Sequence, residues 1–331
     1  MRVEKPNGRD VRLSGIVDQT AQLRTRVAWL YYVEGLTQEQ VAKKLKLTRL
    51  KVVRILAQCR DEGMVQIRIN SKLAGCVELE QQLERAFELF QAIVVPTPDD
   101  LEHIDAIIGK ATGDYLSTNL SDGMTIGVGW GRTLQSSLRS IEMRPLKGVT
   151  VVSLLGGLTH ATAVSPSEFA WRFADLLGAE CYYIAAPAFT NDESTRVSLL
   201  EQNGLREVFD RATKLDMAVV SVGDMGETAT IFDYELVGRE DMLSLMAAGA
   251  VGDVLCHFLL QDGSLVDHPL NRRVMACDPT SLRNVAKVVL ASGGVEKVPI
   301  MRATLAITKA KIVITEEATA RALLAAAAET G

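Results

Sequence analysis

The sequence predicts an α/β protein in which a small winged helix-turn-helix precedes a Rossmann-like, largely parallel, doubly wound sheet. Three observations predict this fold. Residues 20–70 are basic and place apolar side chains at helical spacing between short turns. From residue 92 onward, short apolar runs alternate with amphipathic stretches, and glycine-rich loops follow several of these runs. The first pattern indicates a small helical module, and the other two indicate an α/β domain.

Length and composition restrict the class of protein. The chain has 331 residues, 47% of them hydrophobic, which allows about two globular domains and excludes disorder for most of it. No apolar run reaches the roughly 18 residues of a membrane-spanning helix, and the charged N-terminus lacks the apolar stretch of a signal peptide. The five cysteines are far apart and form no CxxC pair. We therefore expect a soluble cytoplasmic protein with reduced thiols, no metal site and no cofactor.

Charge is distributed unevenly along the chain. The net charge is −5, yet residues 20–70 carry ten Lys and Arg against four Asp and Glu. Residues 71–331 carry 22 Lys and Arg against 34 Asp and Glu. A basic module on an acidic body suggests that only the N-terminal part meets a polyanion, although charge alone also fits a solvated basic helix face.

The pattern inside the basic segment favours DNA. A first helix ends at Gly35, a second is predicted over Gln38–Leu45 and a third over Arg49–Arg60. Thr37 and Thr48 stand at the two N-cap positions, and Gln40 completes a capping box with Thr37. The residues of the third helix predicted to face inward are Val52, Val53, Ile55 and Leu56. Residues 65–69 then alternate as a short strand, which completes the winged helix-turn-helix pattern.

Polar residues of this segment lie where a DNA-binding helix needs them. In helix-turn-helix proteins the start of the recognition helix reaches base edges, and flanking cations pair with phosphates. The predicted DNA-contacting residues are Thr37, Gln38, Thr48, Arg49, Lys51, Arg54 and Arg68. Among them Arg49 is the predicted base-reading residue, and Arg54 and Arg68 are predicted phosphate contacts. Such modules also bind proteins, but the ten basic residues favour DNA.

These patterns divide the chain into four parts. Residues 1–19 are predicted to be a flexible arm, and residues 20–71 the winged helix-turn-helix domain. Residues 72–91 are predicted to form an amphipathic linker helix, which either packs onto its own domain or makes a dimer contact. Residues 92–331 are predicted to form the α/β domain.

The α/β domain is predicted from alternating strands and helices. The predicted strands are Ala92–Val95, Thr125–Val128, Thr150–Leu155, Glu180–Ile184, Met217–Val222, Val254–Leu260, Val285–Ala291 and Ile312–Thr315. The predicted helices are Leu101–Asn119, Glu168–Leu177, Gly204–Thr213, Met242–Ala248, Val295–Ile307 and Glu316–Ala328. In such sheets ligands bind beyond the carboxyl ends of the strands, so the loops there are the candidate site.

Three glycine-rich loops follow predicted strands. The first contains Gly129, Trp130, Gly131, Arg132 and Thr133, the second Gly223, and the third leads through two glycines to Lys297. Exposed backbone N–H groups and nearby cations at such turns bind anions. Three loops at one sheet edge would form a site of the size of a sugar phosphate, whereas three ordinary turns are the alternative.

One carboxylate near these loops is a candidate for binding ligand hydroxyls. Asp253 lies at the start of the predicted strand Val254–Leu260, and is either a ligand contact or a solvated strand end. An enzyme of the isomerase or aldolase type would need a base placed on a substrate carbon. The candidate bases Asp253, Glu296 and His160 form no recognisable pair in the sequence, so we expect a protein that is not an enzyme.

Nine short motifs follow one another along the chain. The N-terminal motifs are residues 35–42 (GLTQEQVA), 48–54 (TRLKVVR) and 61–67 (DEGMVQI). The later motifs are residues 127–133 (GVGWGRT), 178–180 (GAE), 187–189 (PAF), 248–253 (AGAVGD), 293–297 (GGVEK) and 313–320 (VITEEATA). In this order they resemble the SorC family of bacterial sugar-catabolism regulators, sometimes grouped with DeoR-like proteins, and the resemblance covers about residues 20–328.

The resemblance implies a transcriptional regulator whose effector domain is related to sugar-phosphate isomerases. Its partners would be double-stranded operator DNA and a phosphorylated sugar or polyol, and it would assemble as a homodimer or homotetramer. Carried over by motif, the residues that would hold the phosphate are Gly129, Gly131, Arg132, Thr133, Gly223 and Lys297. Trp130 lies within the same motif, and Asp253 would accept hydrogen bonds from ligand hydroxyls. The alternative function is a sugar-phosphate isomerase-like enzyme that uses the same site.

Overall fold

The protein is described by a computed structural model for residues 20–65, 74–158 and 165–329. The chain divides into two compact units, with the boundary between Asn70 and Ser71. All five cysteines are free. Among the helices of the described ranges, none combines the length and the hydropathy that crossing a membrane requires.

The N-terminal unit is helical. Helix α1 (residues 20–28) runs into a π-helical turn, Trp29–Val33, and is followed by α2 (Gln38–Leu45) and α3 (Arg49–Asp61). The core that these helices share consists of Val27, Ala28, Leu30, Val41, Ala42, Val52, Ile55, Leu56 and Cys59. The second and third predicted helices are thus confirmed.

One predicted core residue of α3 is wrong. Val53 is 38% exposed, while Val52, Ile55 and Cys59 are buried. At about 100° per residue, positions 52, 55, 56 and 59 share one stripe of a helix, and position 53 lies beside that stripe. The predicted wing strand, Arg68 within it and the N-terminal arm lie outside the described residues.

The second unit contains ten strands and eleven α-helices within the described residues. The strands are β1 (Gln91–Val95), β2 (Thr125–Val128), β3 (Thr150–Gly157), β4 (Glu180–Pro187), β5 (Met217–Val220), β6 (Val222–Gly223), β7 (Gly252–Val254), β8 (His257–Leu259), β9 (Lys287–Ala291) and β10 (Ile312–Glu316). The helices are α4 (Ala74–Ala86), α5 (Ile104–Asn119), α6 (Arg132–Ser137), α7 (Pro166–Leu177), α8 (Glu193–Leu200), α9 (Asn203–Ala212), α10 (Thr230–Asp233), α11 (Arg239–Ala247), α12 (Pro269–Arg273), α13 (Val298–Thr308) and α14 (Glu317–Ala328).

Seven strands form one sheet in the order β1-β10-β9-β5-β2-β3-β4, and every pair in it is parallel. Side chains at successive positions of a strand point to opposite faces of the sheet, and each face has its own apolar core. Ile126 and Val151 pack with α5 and α7 on one face, whereas Val152 and Leu290 pack with α9, α13 and α14 on the other. A parallel sheet covered on both faces is what the alternating strands and helices predict, and this prediction is confirmed.

The strand order reverses beside β2. From β2 the chain builds outward through β3 to β4, then returns to place β5 on the opposite side of β2. The loops that follow β2 and β5 therefore run to opposite sides of the sheet, and a crevice opens between them at the carboxyl ends of these two strands. This reversal decides where a ligand can enter.

One predicted strand of the parallel sheet is wrong. The run Val254–Leu260 belongs to a second sheet of three strands, β6-β7-β8, all antiparallel. Leu255 and Cys256 connect β7 to β8 and adopt φ values of 51° and 60°. Two left-handed residues make the tight turn that a hairpin needs, a conformation usually taken by Asn or Gly. A continuous apolar run conceals this turn because neither residue is a turn former.

Helix α4, at the start of this unit, packs onto its own sheet. Leu79 and Leu83 are buried in the core beside β1 and α14. Two of its carboxylates also accept hydrogen bonds from the edge strand β1, Glu84 Oε1 from Ala92 N at 3.0 Å and Glu80 Oε1 from Val94 N at 2.9 Å. These side chains satisfy N–H groups that an edge strand would otherwise expose. The packing alternative for the predicted linker helix is therefore the one that the structure supports.

Candidate functional site

The N-terminal unit holds its two turns with threonine caps. Thr37 Oγ1 accepts a hydrogen bond from Gln40 N at 3.3 Å, and Gln40 Oε1 accepts one from Thr37 N at 2.8 Å. Thr48 Oγ1 accepts one from Lys51 N at 3.3 Å and begins α3. Both hydroxyl groups use an oxygen lone pair as caps and keep their protons for another acceptor. The predicted capping box is confirmed.

The predicted DNA-contacting cations of this unit are exposed. Arg49, Lys51 and Arg54 lie on the outer side of α3, and none of them makes an ion pair with another described residue. The ion pairs that this unit does contain, Arg24 with Glu62 and Lys44 with Glu34, lie elsewhere. Arg49 also shares a concave surface with Thr37, Gln38 and the tyrosines that end the first helix. The three cations are thus available to an external anion.

The second unit has a small cavity at the carboxyl ends of β2 and β5, where the strand order reverses. Seven of the eight predicted effector-binding residues line it: Trp130, Gly131, Arg132, Thr133, Gly223, Asp253 and Lys297. Sequence reasoning missed the other five lining residues: Asp105, Ser221, Val222, Thr230 and Ile231. Ser221 follows directly on β5, so the rule that ligands bind at strand ends could have found it.

A carboxylate organises the first side of the cavity. Asp105, in the first turn of α5, accepts a hydrogen bond from Thr133 Oγ1 at 2.7 Å and pairs with Arg132 Nε at 3.2 Å. Arg132 Nη2 also donates to the carbonyl oxygen of Thr228 at 3.3 Å. Gly131 allows this approach because its φ of 123° is open only to glycine without strain. The guanidinium is therefore held from two sides at the edge of the cavity.

A second carboxylate lies at the back of the cavity. Asp253, in β7, is 4% exposed and pairs in register with Gly223 of β6. A side chain at position 223 would collide with Asp253 Oδ1, which explains why glycine is needed there. Asp253 Oδ2 accepts a hydrogen bond from Cys256 N at 3.0 Å, across the left-handed turn of the hairpin. The carboxylate thus supports the hairpin with one oxygen and faces the cavity.

Burial raises the pKa of Asp253 to about 7, and the charge of Asp224 acts in the same direction. The hydrogen bond from Cys256 N and the positive charge of Lys297 act against this rise in pKa. Near neutral pH the group is therefore shared between a carboxylic acid, which can donate one hydrogen bond, and a carboxylate, which only accepts. Both forms suit a ligand hydroxyl group.

Lys297 supplies the second cation of the cavity. It ends the short 3-10 turn Val295–Lys297 and occupies the N-cap position of α13, with Gly294 before the turn at a φ of 103°. Among the described residues it makes no ion pair. A partly buried lysine that makes no ion pair and lies at a helix start favours binding of an anionic group.

Two other predicted residues lie apart from the cavity. Gly129 does not line it; its N–H donates to the carbonyl oxygen of Val219 at 2.8 Å, and a Cβ at this position would lie 3.2 Å from Leu255 Cδ2. Glu296 is exposed and outside the cavity, while His160 lies outside the described residues. In the ranges that the structure describes, no group of three or more His, Cys, Asp or Glu side chains could hold a metal ion.

Comparison with known proteins identifies the family. A family model described as "Putative sugar-binding domain" matches residues 71–325. The chain belongs to this family. It is 31% identical over 334 residues to the transcriptional regulator LsrR of Klebsiella pneumoniae, covering 98% of this chain and 99% of that protein. It is 29% identical over 311 residues to the erythritol catabolism regulatory protein EryD of Brucella abortus, covering 93% of this chain and 98% of that protein.

Solved structures of the family agree with this result. The full-length sorbitol operon regulator SorC of Klebsiella pneumoniae has a TM-score of 0.71 and 25% identity, covering 92% of this chain and 99% of that chain. The resemblance to the SorC family is therefore confirmed, and with it the prediction of a sugar-responsive transcriptional regulator. These two relatives match over nearly their whole length, so the alignments span both units of the chain, whereas the family model covers residues 71–325.

Proposed function

We propose that this protein regulates a carbohydrate catabolic operon, binding operator DNA through residues 20–71 and a phosphorylated sugar or polyol in the cavity between β2 and β5. One observation carries the proposal: two cations, Arg132 and Lys297, and a buried carboxylate, Asp253, converge on a single cavity. Cations bind phosphate, whereas a carboxyl group binds hydroxyl groups, so the cavity has one part for each end of such a ligand.

The N-terminal unit is proposed to be a winged helix-turn-helix, with α3 in the major groove. Arg49, at the start of α3, would read a base, and Lys51 and Arg54 would contact bases or phosphates beside it. The Thr37 and Thr48 hydroxyl groups would donate their protons to the DNA backbone, because as caps they use only their lone pairs. We further propose that the protein acts as a homodimer or homotetramer on a palindromic operator.

Within this proposal the protein is a regulator and not an enzyme. Of the two candidate bases within the described residues, Asp253 and Glu296, only Asp253 lines the cavity, and its Oδ2 is already hydrogen-bonded to the hairpin. A parallel sheet like that of an isomerase does not by itself make this protein an enzyme, because the same fold can be used without a catalytic pair. Incubating the full-length protein with sugar phosphates and following them by NMR tests this point, since any turnover would contradict it.

The effector site is tested by measuring the melting temperature of the full-length protein with sugars, polyols and their phosphates. A ligand at 100 times its Kd should stabilise the fold by about 2.7 kcal/mol. We expect stabilisation by a phosphorylated compound, and we expect Lys297→Ala to abolish it while operator binding is retained. Lys214→Ala removes an exposed lysine far from the cavity lining and should behave as wild type. Stabilisation only by unphosphorylated compounds would contradict the phosphate assignment.

The DNA site is tested on a duplex selected by the full-length protein from random sequences. Arg49→Ala should weaken binding by about 1–3 kcal/mol and relax the sequence preference at one base pair, with the effector response unchanged. Arg60→Ala removes the same charge from the last turn of the same helix and should weaken binding less, without changing the preference. Equal loss in both variants would mean that α3 is not the recognition helix.

A further inference from the structure

The cavity contains as many carboxylates as cations. Its charged lining residues are Asp105, Arg132, Asp253 and Lys297. A site that only had to hold phosphate would gain affinity from cations without carboxylates beside them. Asp105 in particular sits directly on the phosphate-binding side, at 3.2 Å from Arg132 Nε. Its presence there lowers the attraction that Arg132 can offer to an anion.

Asp105 also determines what the neighbouring hydroxyl group can do. Thr133 Oγ1 has a single proton and donates it to Asp105 Oδ1 at 2.7 Å. Toward a ligand, the Thr133 hydroxyl group can then present only lone pairs, which accept from a hydroxyl group and repel a phosphate oxygen. Thr133 is 2% exposed, so water does not readily take over as its partner. This side of the cavity therefore favours a hydroxyl group next to the phosphate.

We propose that Asp105 is a specificity-determining residue that lowers the affinity of the cavity for free phosphate, so that a bound phosphate must carry hydroxyl groups close to it. The inference rests on the proposed function of the cavity. Free phosphate gains from Arg132 and Lys297 but meets the repulsion of Asp105, and of Asp253 in its ionised form. A polyol phosphate donates hydroxyl protons to these same acceptors and offsets the repulsion. Rejection of the wrong ligand by a like charge is a general source of specificity.

The test compares Asp105→Asn with wild type and with Asp114→Asn, using inorganic phosphate as the probe on the full-length protein. Asn is nearly isosteric with Asp, and its Oδ1 can still accept the Thr133 proton, while its uncharged NH2 replaces the oxygen that pairs with Arg132 Nε. Asp114 lies on the same helix, pairs with Lys110 at 2.6 Å and is outside the cavity lining. Both variants remove one negative charge from α5, and only Asp105→Asn removes it from the cavity.

We expect Asp105→Asn to bind inorganic phosphate at least ten-fold more tightly than wild type, measured by calorimetry, and Asp114→Asn to bind it as wild type does. The gain should shrink as salt is raised, because it is electrostatic, and affinity for a neutral polyol such as sorbitol should not rise. Melting curves without ligand verify that each variant is folded. A folded Asp105→Asn with unchanged or weaker phosphate binding would overturn the proposal, since Asp105 would then only position Arg132.

Sugar phosphates distinguish failure of this inference from failure of the proposed function. If wild type binds a sugar phosphate and Lys297→Ala does not, the cavity is the effector site even when Asp105→Asn shows no gain. If no phosphorylated compound binds wild type and Asp105→Asn takes no phosphate, both proposals are wrong. Both proposals are supported if Asp105→Asn binds inorganic phosphate more tightly than wild type and the double variant with Lys297→Ala loses this gain.

Discussion

The two units of this protein present their functional side chains in opposite ways. In the N-terminal unit, Arg49, Lys51 and Arg54 are exposed and make no ion pair with a described residue. In the sheet unit, Arg132 is held by Asp105 and by a backbone carbonyl, and Asp253 is buried with a hydrogen bond from Cys256 N. A polyanion brings its own dense charge to an exposed surface, whereas a small ligand needs groups that are already oriented.

The same contrast appears along the sequence. The DNA-contacting residues proposed within the described chain fall between Thr37 and Arg54, on two helices joined by a short turn. The cavity collects residues from Asp105 to Lys297, which belong to several loops and helices and to the three-stranded sheet. A surface site can therefore form from one local segment, but the cavity exists only when the whole second unit is folded. The following changes separate the two units, in order of decreasing effect.

The largest effect is expected for Leu83→Ala in α4. Leu83 is fully buried beside β1, so its truncation should lower the free energy of unfolding of the second unit by about 3–5 kcal/mol. Val77→Ala on the same helix, where Val77 is 50% exposed, should change it by less than about 0.5 kcal/mol. Chemical denaturation followed by circular dichroism measures both. Equal small effects would mean that α4 does not belong to the sheet unit.

Asp253→Asn should stabilise the second unit in a pH-dependent way. Because burial raises the pKa of the folded state from 3.8 to about 7, the folded chain keeps a proton between these pH values that the unfolded chain has lost. Wild type therefore loses stability as the pH rises from 4 to 7, by about 2–4 kcal/mol in total, whereas the amide cannot ionise. The stability of Asp253→Asn relative to wild type should therefore increase as the pH rises from 4 to 7, and the difference should stay constant above pH 7.

Melting temperatures at a series of pH values measure this gain, and effector binding should weaken in the same variant. Asp262→Asn is the control, because hydrogen bonds from Ser264 lower the pKa of Asp262 and make its ionised form the favourable one. That variant should lose stability at neutral pH rather than gain it. If the difference in melting temperature between Asp253→Asn and wild type did not change with pH, burial would not raise the pKa of Asp253. The contrast between a buried acid in the sheet unit and exposed cations in the N-terminal unit would then fail.

The smallest effect is expected for Thr48→Ala at the start of α3. Loss of the cap to Lys51 N should cost about 1 kcal/mol of stability in the N-terminal unit. Thr48→Ser keeps the hydroxyl group and should restore both stability and DNA binding. Thermal melting and operator titration together measure these effects, and the response to effector should not change. An altered effector affinity would show that the two units do not act on separate ligands.

Local patterns predicted much of this architecture. The capping box at Thr37, the cap at Thr48 and the strands around Ile126 and Val289 depend on neighbours in sequence, and they lie where the patterns place them. Val53 was misplaced because one residue of helical phase separates a buried position from an exposed one. The run Val254–Leu260 was misassigned because its hairpin turn is built from Leu and Cys in left-handed conformations.

The division of charge can be counted from the sequence alone. Most helices and strands, and the glycine loops that end the strands, also follow from local patterns, since they depend on the period of the backbone and on short-range caps. Which loops meet depends instead on how distant segments pack. Asp105 carries no motif, and it reaches Arg132 and Thr133 because α5 and α6 pack against each other. Strand order is set by packing over the whole unit, and no local pattern contains it.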